Sequence, residues 1–154
     1  MSDIEATLDG IKSKGLYRSL RPVSGRCLCS NDYLNLAEDS RIRKRIIEAL
    51  NSGLPHGSTG SRLLSGHERI FEELEESFST WQGTQASLFF STGYAANLGL
   101  LTALLNKDTL VLSDELNHAS LIDGIRLSKA QRVLVPHLDM AAYEKALKER
   151  SKER

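Results

Sequence analysis

The sequence predicts an α/β protein with a mainly parallel sheet flanked by helices. Three short apolar runs are typical of strands: "ASLFF" at 86–90, "TLVLS" at 109–113 and "RVLVP" at 132–136. Each is followed by a stretch with helical spacing, at 94–105, 118–128 and 139–152. Strands that alternate with helices favour crossover connections and therefore a parallel sheet.

Helices and extended chain are predicted ahead of this alternation. The pattern indicates a helix at 3–14, a strand at 26–29 leading into "NDYLNL", and a helix at 40–52 capped by Asp39 or Ser40. Residues 53–66 are rich in glycine and serine and form a long loop, which is typical of functional segments.

The helix after this loop has its own start and stop signals. Ser65 and Glu68 match the capping-box pattern S-x-x-E, so we expect the helix to begin at Ser65. Apolar residues then repeat at helical spacing until Gly83, where we expect the helix to end.

Charge and composition exclude several classes of function. Lys plus Arg and Asp plus Glu are equal at 20 each, so no net charge favours nucleic acid or an anionic membrane. The acidic start "MSDIEATLDG" lacks the pattern of a signal peptide, and we expect a cytoplasmic protein. Cys27 and Cys29 are expected to be reduced; a CxC pair can ligate a metal, but two positions on one strand face explain the spacing more simply.

The turn at 91–94 lies where a ligand is expected. Ligands of open parallel sheets bind beyond the carboxyl ends of the strands, and a helix starting there directs free backbone N–H groups at them. Ser91 and Thr92 add hydroxyl groups, and Gly93 allows close approach of the backbone. These features suit a phosphate group, although an ordinary helix cap uses the same residue types.

A second group of polar residues follows the next strand. "LSDELNHASLIDG" at 112–124 places Asp114, Asn117 and His118 after the strand at 109–113. His118 is consistent with a helix cap or a surface residue. Beside the turn at 91–94, its imidazole could instead stack on a planar ring or exchange protons near neutral pH.

Four segments resemble one family of enzymes. "SNDYLNL", "GSTGSRLLSGHERIFEELEE", "FFSTGYAANLGLL" and "SDELNHASLIDGIRLSKA" are similar to the α-oxoamine synthases, which are fold-type I enzymes dependent on pyridoxal 5′-phosphate. The similarity runs from about residue 6 to about residue 150 and is greatest to the 8-amino-7-oxononanoate synthases of biotin biosynthesis. It implies a homodimer and a chain that holds the first part of the large domain.

The resemblance also implies roles for particular residues. Thr92, Gly93 and Tyr94 would bind the cofactor, and His118 would be the catalytic residue whose ring stacks on the cofactor and positions the substrate. Arg18 would contact the acyl substrate, and Asn31 of the "SNDYLNL" signature would lie at the substrate site.

The comparison with the family also concerns a loop, one residue that departs from the family pattern, and the domain organisation. The loop at 57–66 would lie near the dimer interface and the active site. Independently of the resemblance, the glycines of the longer loop at 53–66 carry a high ordering cost, so we expect that loop to be ordered only against a second subunit. Asn35 stands where the family usually has glycine. The implied organisation is an arm and small-domain segment at 1–52, an interface loop at 53–66 and the first part of the large domain at 67–154.

The family reaction condenses an amino acid with an acyl thioester and releases carbon dioxide. In the 8-amino-7-oxononanoate synthases, L-alanine reacts with pimeloyl-coenzyme A or the pimeloyl acyl carrier protein. The family's Schiff-base lysine and its aspartate for the pyridine nitrogen fall beyond residue 154, so we expect this chain alone to be inactive.

Other functions remain open at this point. A 2-amino-3-ketobutyrate coenzyme A ligase, which shares the pattern "SDxLNHASxIDGxRL", or another α-oxoamine synthase is one alternative. The loop at 57–66 favours the 8-amino-7-oxononanoate synthases over that ligase. A non-catalytic oligomerisation module is a second alternative. A dinucleotide-binding domain is disfavoured, because no G-x-G-x-x-G follows a predicted strand.

Overall fold

The computed structural model describes residues 2–22 and 24–151. The chain divides into two compact units, Met1–Gly57 and Ser58–Arg154, and the division falls inside the predicted loop at 53–66. The described part holds six α-helices and two strands in an α/β arrangement. They are α1 Ser2–Ser13, α2 Ser40–Asn51, α3 Arg69–Gln82, α4 Gly93–Leu104, β1 Leu110–Asp114, α5 Ala119–Ser128, β2 Gln131–Val135 and α6 Met140–Ser151.

The first unit contains α1, α2 and a short 3₁₀ turn at Leu36–Glu38. The Asp32 carboxylate holds this turn by accepting the backbone N–H groups of Leu36, at 2.7 Å, and Ala37, at 2.9 Å. Asp39 caps α2, as predicted, and accepts the N–H of Arg41 at 2.7 Å. Asn35 adopts φ 52°, the left-handed conformation that favours the glycine usual in the family.

The predicted strand at 26–29 is not formed. The backbone bends at Leu28 and Cys29 and pairs with no strand among the residues that the structure describes. Strand geometry requires a hydrogen-bonded neighbour, and this segment has none there. The extended backbone that the pattern indicated is therefore replaced by a bend.

The capping-box prediction for α3 is wrong in its start. The helix begins at Arg69 with Glu68 as the N-cap residue, and the Glu68 side chain makes no capping bond. Ser65 belongs instead to the preceding loop, where its carbonyl oxygen accepts the Thr59 hydroxyl at 2.7 Å. The predicted end is confirmed, because Gly83 ends α3 with φ 69°.

The sheet consists of β1 and β2 paired in parallel, with Leu110 opposite Gln131 and Asp114 opposite Val135. This confirms the predicted parallel α/β class. The predicted strand at 86–90 has no ladder partner among the described residues. Its backbone bonds to α3 instead, since the Phe89 N–H donates to the Glu75 carboxylate at 2.7 Å.

The packing of α4 against α5 brings their amino-terminal ends together. At Gly124, an added Cβ would lie only 2.7 Å from Leu101 Cδ1 and 3.3 Å from the Asn97 carbonyl oxygen, so a glycine is needed for this approach. Asn97 donates from its amide to Ser120 Oγ at 2.9 Å, and Ser120 is fully buried. These contacts fix the start of α5 relative to the first turns of α4.

Within the described residues, no helix has both the length and the apolar character required to cross a bilayer.

Candidate active site

The turn at 91–94 forms the start of α4, as predicted. Thr92 is the N-cap residue, and its Oγ1 accepts the Ala95 N–H at 3.1 Å. Within the described part of the chain, the backbone N–H groups of Gly93 and Tyr94 have no acceptor. A Cβ added at Gly93 would meet no atom within 4 Å, so the backbone here is open to a ligand. Free N–H groups at a helix start favour an anion.

His118 caps the start of α5. Its Nδ1 accepts the Ser120 N–H at 3.2 Å and lies 2.7 Å from Ser120 Oγ. Because a backbone N–H can only donate, Nδ1 acts as an acceptor, and the neutral ring carries its proton on Nε2. Asn97 donates to the same Ser120 oxygen. The exposed imidazole is therefore held in one orientation by the buried Ser120, which the half-buried Asn97 supports.

Tyr94 lies beside His118. The two ring centroids are 6.5 Å apart, and the ring planes meet at 72°. The Tyr94 hydroxyl donates to the Asp123 carboxylate, which also accepts from Arg126 at 3.1 Å. The Asp123 bond raises the pKa of Tyr94 above its usual value of 10.0, so the ring stays neutral and fixed.

A histidine–carboxylate pair at the ends of β1 and β2 was missed by the sequence reasoning. His137 Nδ1 lies 3.0 Å from Asp114 Oδ1, and the Leu116 N–H donates to the same oxygen at 2.8 Å. These bonds lower the pKa of Asp114, with the Leu116 N–H as the largest cause. The signal was available, because His137 follows the strand that pairs with β1.

A second ion pair joins the glycine-rich loop to α3 and was also not predicted. Arg62 donates to both Glu75 carboxylate oxygens, at 2.6 and 3.0 Å. These bonds and the Phe89 N–H lower the pKa of Glu75 to about 2. The loop therefore has ordering contacts within the single chain.

Two substrate-binding residues were also predicted from the sequence. Arg18 and Asn31 belong to the first unit and are exposed there. Lys129 ends α5 in the left-handed conformation with φ 62°.

Comparison with solved structures identifies the class of fold. Superposition on a Sphingomonas wittichii serine palmitoyltransferase gives a TM-score of 0.70 at 32% identity, over 76% of this chain and 29% of that one. A serine palmitoyltransferase from S. paucimobilis with a bound PLP–myriocin aldimine gives 0.76 at 26% identity, over 95% of this chain and 42% of that one. These are fold-type I enzymes, so the predicted fold class is confirmed.

The chain belongs to the family described as aminotransferase class I and II, whose model matches residues 27–154. It is 42% identical over 159 residues to the 8-amino-7-oxononanoate synthase of Geobacter sulfurreducens, covering 95% of this chain and 40% of that protein. It is 39% identical over 163 residues to that of Citrifermentans bemidjiense, covering 97% and 41%. The predicted resemblance is thus confirmed, and the chain spans about two fifths of these relatives' length.

Proposed function

We propose that this chain is part of a pyridoxal 5′-phosphate-dependent acyltransferase that makes 8-amino-7-oxononanoate. In this reaction L-alanine condenses with a pimeloyl thioester, and carbon dioxide is released. The observation that carries the proposal is that the His118 ring lies beside the start of α4. Its centroid is 6.5 Å from the ring centroid of Tyr94. Relatives named for this activity match 95–97% of the chain.

The residues present fit the cofactor. The unbonded N–H groups of Gly93 and Tyr94 would hold its phosphate, together with the Thr92 hydroxyl, whose proton remains available to donate. The open space over Gly93 admits the phosphate without a clash. His118 would offer its ring face to the pyridine. When bound, the cofactor supplies an electron sink for a carbanion.

Residues of the chain orient the His118 and Tyr94 rings and determine which of their atoms carry a proton. Ser120 fixes His118 through Nδ1, so that Nε2–H is the atom that donates to a substrate oxygen. Asp123 holds the Tyr94 hydroxyl proton and keeps that ring beside the imidazole. Arg18 would contact the acyl substrate, and Asn31 would be a further substrate-binding residue.

A complete site requires the Schiff-base lysine of the family. None of its lysines stands in the family's lysine motif, so we propose that the chain alone forms no Schiff base and has no synthase activity. We propose a cytoplasmic homodimer in the full-length enzyme, with the loop at 53–66 near its interface. The segment at 1–52 would be the arm and small-domain part, and 67–154 the start of the large domain.

The test is turnover of L-alanine and pimeloyl-coenzyme A when the chain is combined with a separately expressed carboxyl-terminal portion of a synthase. We expect product only from the mixture. His118→Asn keeps a helix-capping side chain but removes the ring, and it should abolish turnover. His137→Asn is the matched control and should retain activity. Turnover by the chain alone, or an active His118→Asn mixture, would contradict the proposal.

A further inference from the structure

The sulfur atoms of Cys27 and Cys29 lie side by side, 3.7 Å apart. Both cysteines are exposed and free. Across the described residues no group of three or more histidine, cysteine or acidic side chains is placed to hold a metal ion. The pair therefore has no further ligand with which to form a metal site, and its chemistry is that of two neighbouring thiols.

The bend in the backbone brings the sulfurs together. In a regular strand, residues two apart are separated by roughly 6.6 Å between Cα atoms, close to the upper limit of about 6.8 Å for a disulfide. The structure instead bends at Leu28 and Cys29. The Leu28 side chain is 95% exposed, so it projects into solvent.

The surroundings of Cys27 favour its thiolate form. Its contacts with the backbone N–H and then with the thiol of Cys29 lower the pKa of Cys27 below 9.0. Since the thiolate is the nucleophile in disulfide exchange, this environment increases the reactive fraction of Cys27. Full exposure gives a small reagent access to it.

The chain immediately after the pair is fixed. Ser30 Oγ accepts the Asp32 N–H at 2.9 Å, and the Asp32 carboxylate holds the 3₁₀ turn that follows. The pair thus lies at the edge of an anchored segment, which limits how far the two sulfurs can separate.

We propose that Cys27 and Cys29 form a redox-active dithiol that closes to an intramolecular disulfide. The oxidant is a small-molecule disulfide of the glutathione type. The Cys27 thiolate attacks one sulfur of this disulfide, a mixed disulfide forms, and one thiolate leaves. The Cys29 thiolate then attacks the Cys27 sulfur and releases the second thiolate. The pair loses two electrons and two protons, and the oxidant becomes two thiols. This inference does not depend on the proposed function.

The test exposes the purified chain to oxidised glutathione and follows its mass with time. We expect a monomeric product lighter than the reduced chain by two hydrogen atoms, with no glutathione retained. Cys29→Ser should trap one glutathione on Cys27. Cys27→Ser should trap one glutathione on Cys29 and form no intramolecular disulfide.

The rate of disulfide closure in denaturant shows whether closure depends on the folded backbone or only on the short spacing of the two cysteines along the chain. We expect ring closure from the mixed disulfide to be on the order of tenfold slower in the unfolded chain, because the bend is lost. A persistent glutathione adduct on the unchanged chain would overturn the proposal, as would disulfides between chains. Equal closure rates in the folded and unfolded chain would also overturn it.

Discussion

Replacing Thr92 by aspartate separates the capping role of this residue from its proposed role in holding a phosphate. Thr92 Oγ1 caps α4 by accepting the Ala95 N–H at 3.1 Å. Aspartate is at least as good an N-cap residue as threonine, and its negative charge is favourable at a helix start. Thr92→Asp should therefore leave the melting temperature unchanged or slightly raised.

The same substitution should weaken binding of pyridoxal phosphate. Two unit charges of like sign 4 Å apart repel by about 4 kcal/mol at an effective dielectric constant of 20. Thr92 is exposed, so water and salt reduce this repulsion, and we expect about 1.4 kcal/mol, between the values for bulk water and for a protein surface. That value corresponds to a loss of about tenfold in affinity.

The assay is a fluorescence titration of the chain with pyridoxal phosphate, repeated with inorganic phosphate as competitor. Thr102→Asp is the matched control, because Thr102 lies on the same helix and its hydroxyl bonds only to helix carbonyls. The control should bind like the unchanged chain. If Thr92→Asp binds the cofactor with unchanged affinity while remaining folded, the N–H groups of the α4 start do not hold the phosphate.

Three further predictions concern stability. Gly124→Val should lower the free energy of unfolding by about 1–3 kcal/mol in a denaturant titration, because its Cβ would lie 2.7 Å from Leu101 Cδ1. Gly10→Val, where nothing lies within 4 Å, is the control and should not destabilise. The pKa of Glu75 is lowered from 4.5 to about 2, so its contribution to stability is full above pH 4.5 and lost as the pH falls toward about 2. In acid unfolding, Glu75→Gln should lose the part of the pH dependence that comes from the Glu75 carboxylate. If the acid-unfolding profile is unchanged, this contribution of Glu75 is refuted. The pKa of Tyr94 is raised, so its stabilisation is present below pH 10.0 and lost as the pH rises through its folded value. In an ultraviolet titration, Tyr94→Phe should remove an ionisation step that lies above pH 10.0, whereas loss of a step at or below pH 10.0 would contradict the Asp123 bond.

Local sequence signals predicted most of the elements but not the contacts that override them. Apolar spacing, Asp39 and Gly83 located helices correctly, because these effects act within a few residues along the chain. The segment at 86–90 has strand composition, yet its Phe89 N–H bonds to Glu75, 14 residues away. No local pattern reveals such a partner, so the strand prediction failed there.

The composition of the loop at 53–66 likewise did not reveal the contacts that the loop makes. Its glycines indicated a segment that needs a second subunit for order. Arg62 reaches Glu75 on α3 and lies 4.9 Å from the Phe71 ring centroid. Gly66 approaches Gly60 so closely that an added Cβ would lie 1.9 Å from the Gly60 carbonyl oxygen. These contacts lie within one chain, and hydrogen exchange of the monomer tests whether they suffice.

The capping and cofactor-binding interpretations of Thr92 and His118 are compatible. Thr92 uses an oxygen lone pair for its cap and keeps the hydroxyl proton available. His118 uses Nδ1 for its cap and keeps Nε2 and the ring face available. The cap bond fixes each side chain at a helix start, and a fixed side chain loses less entropy when a ligand binds. The residue types that suggested an ordinary helix cap are thus also suited to position groups for a ligand.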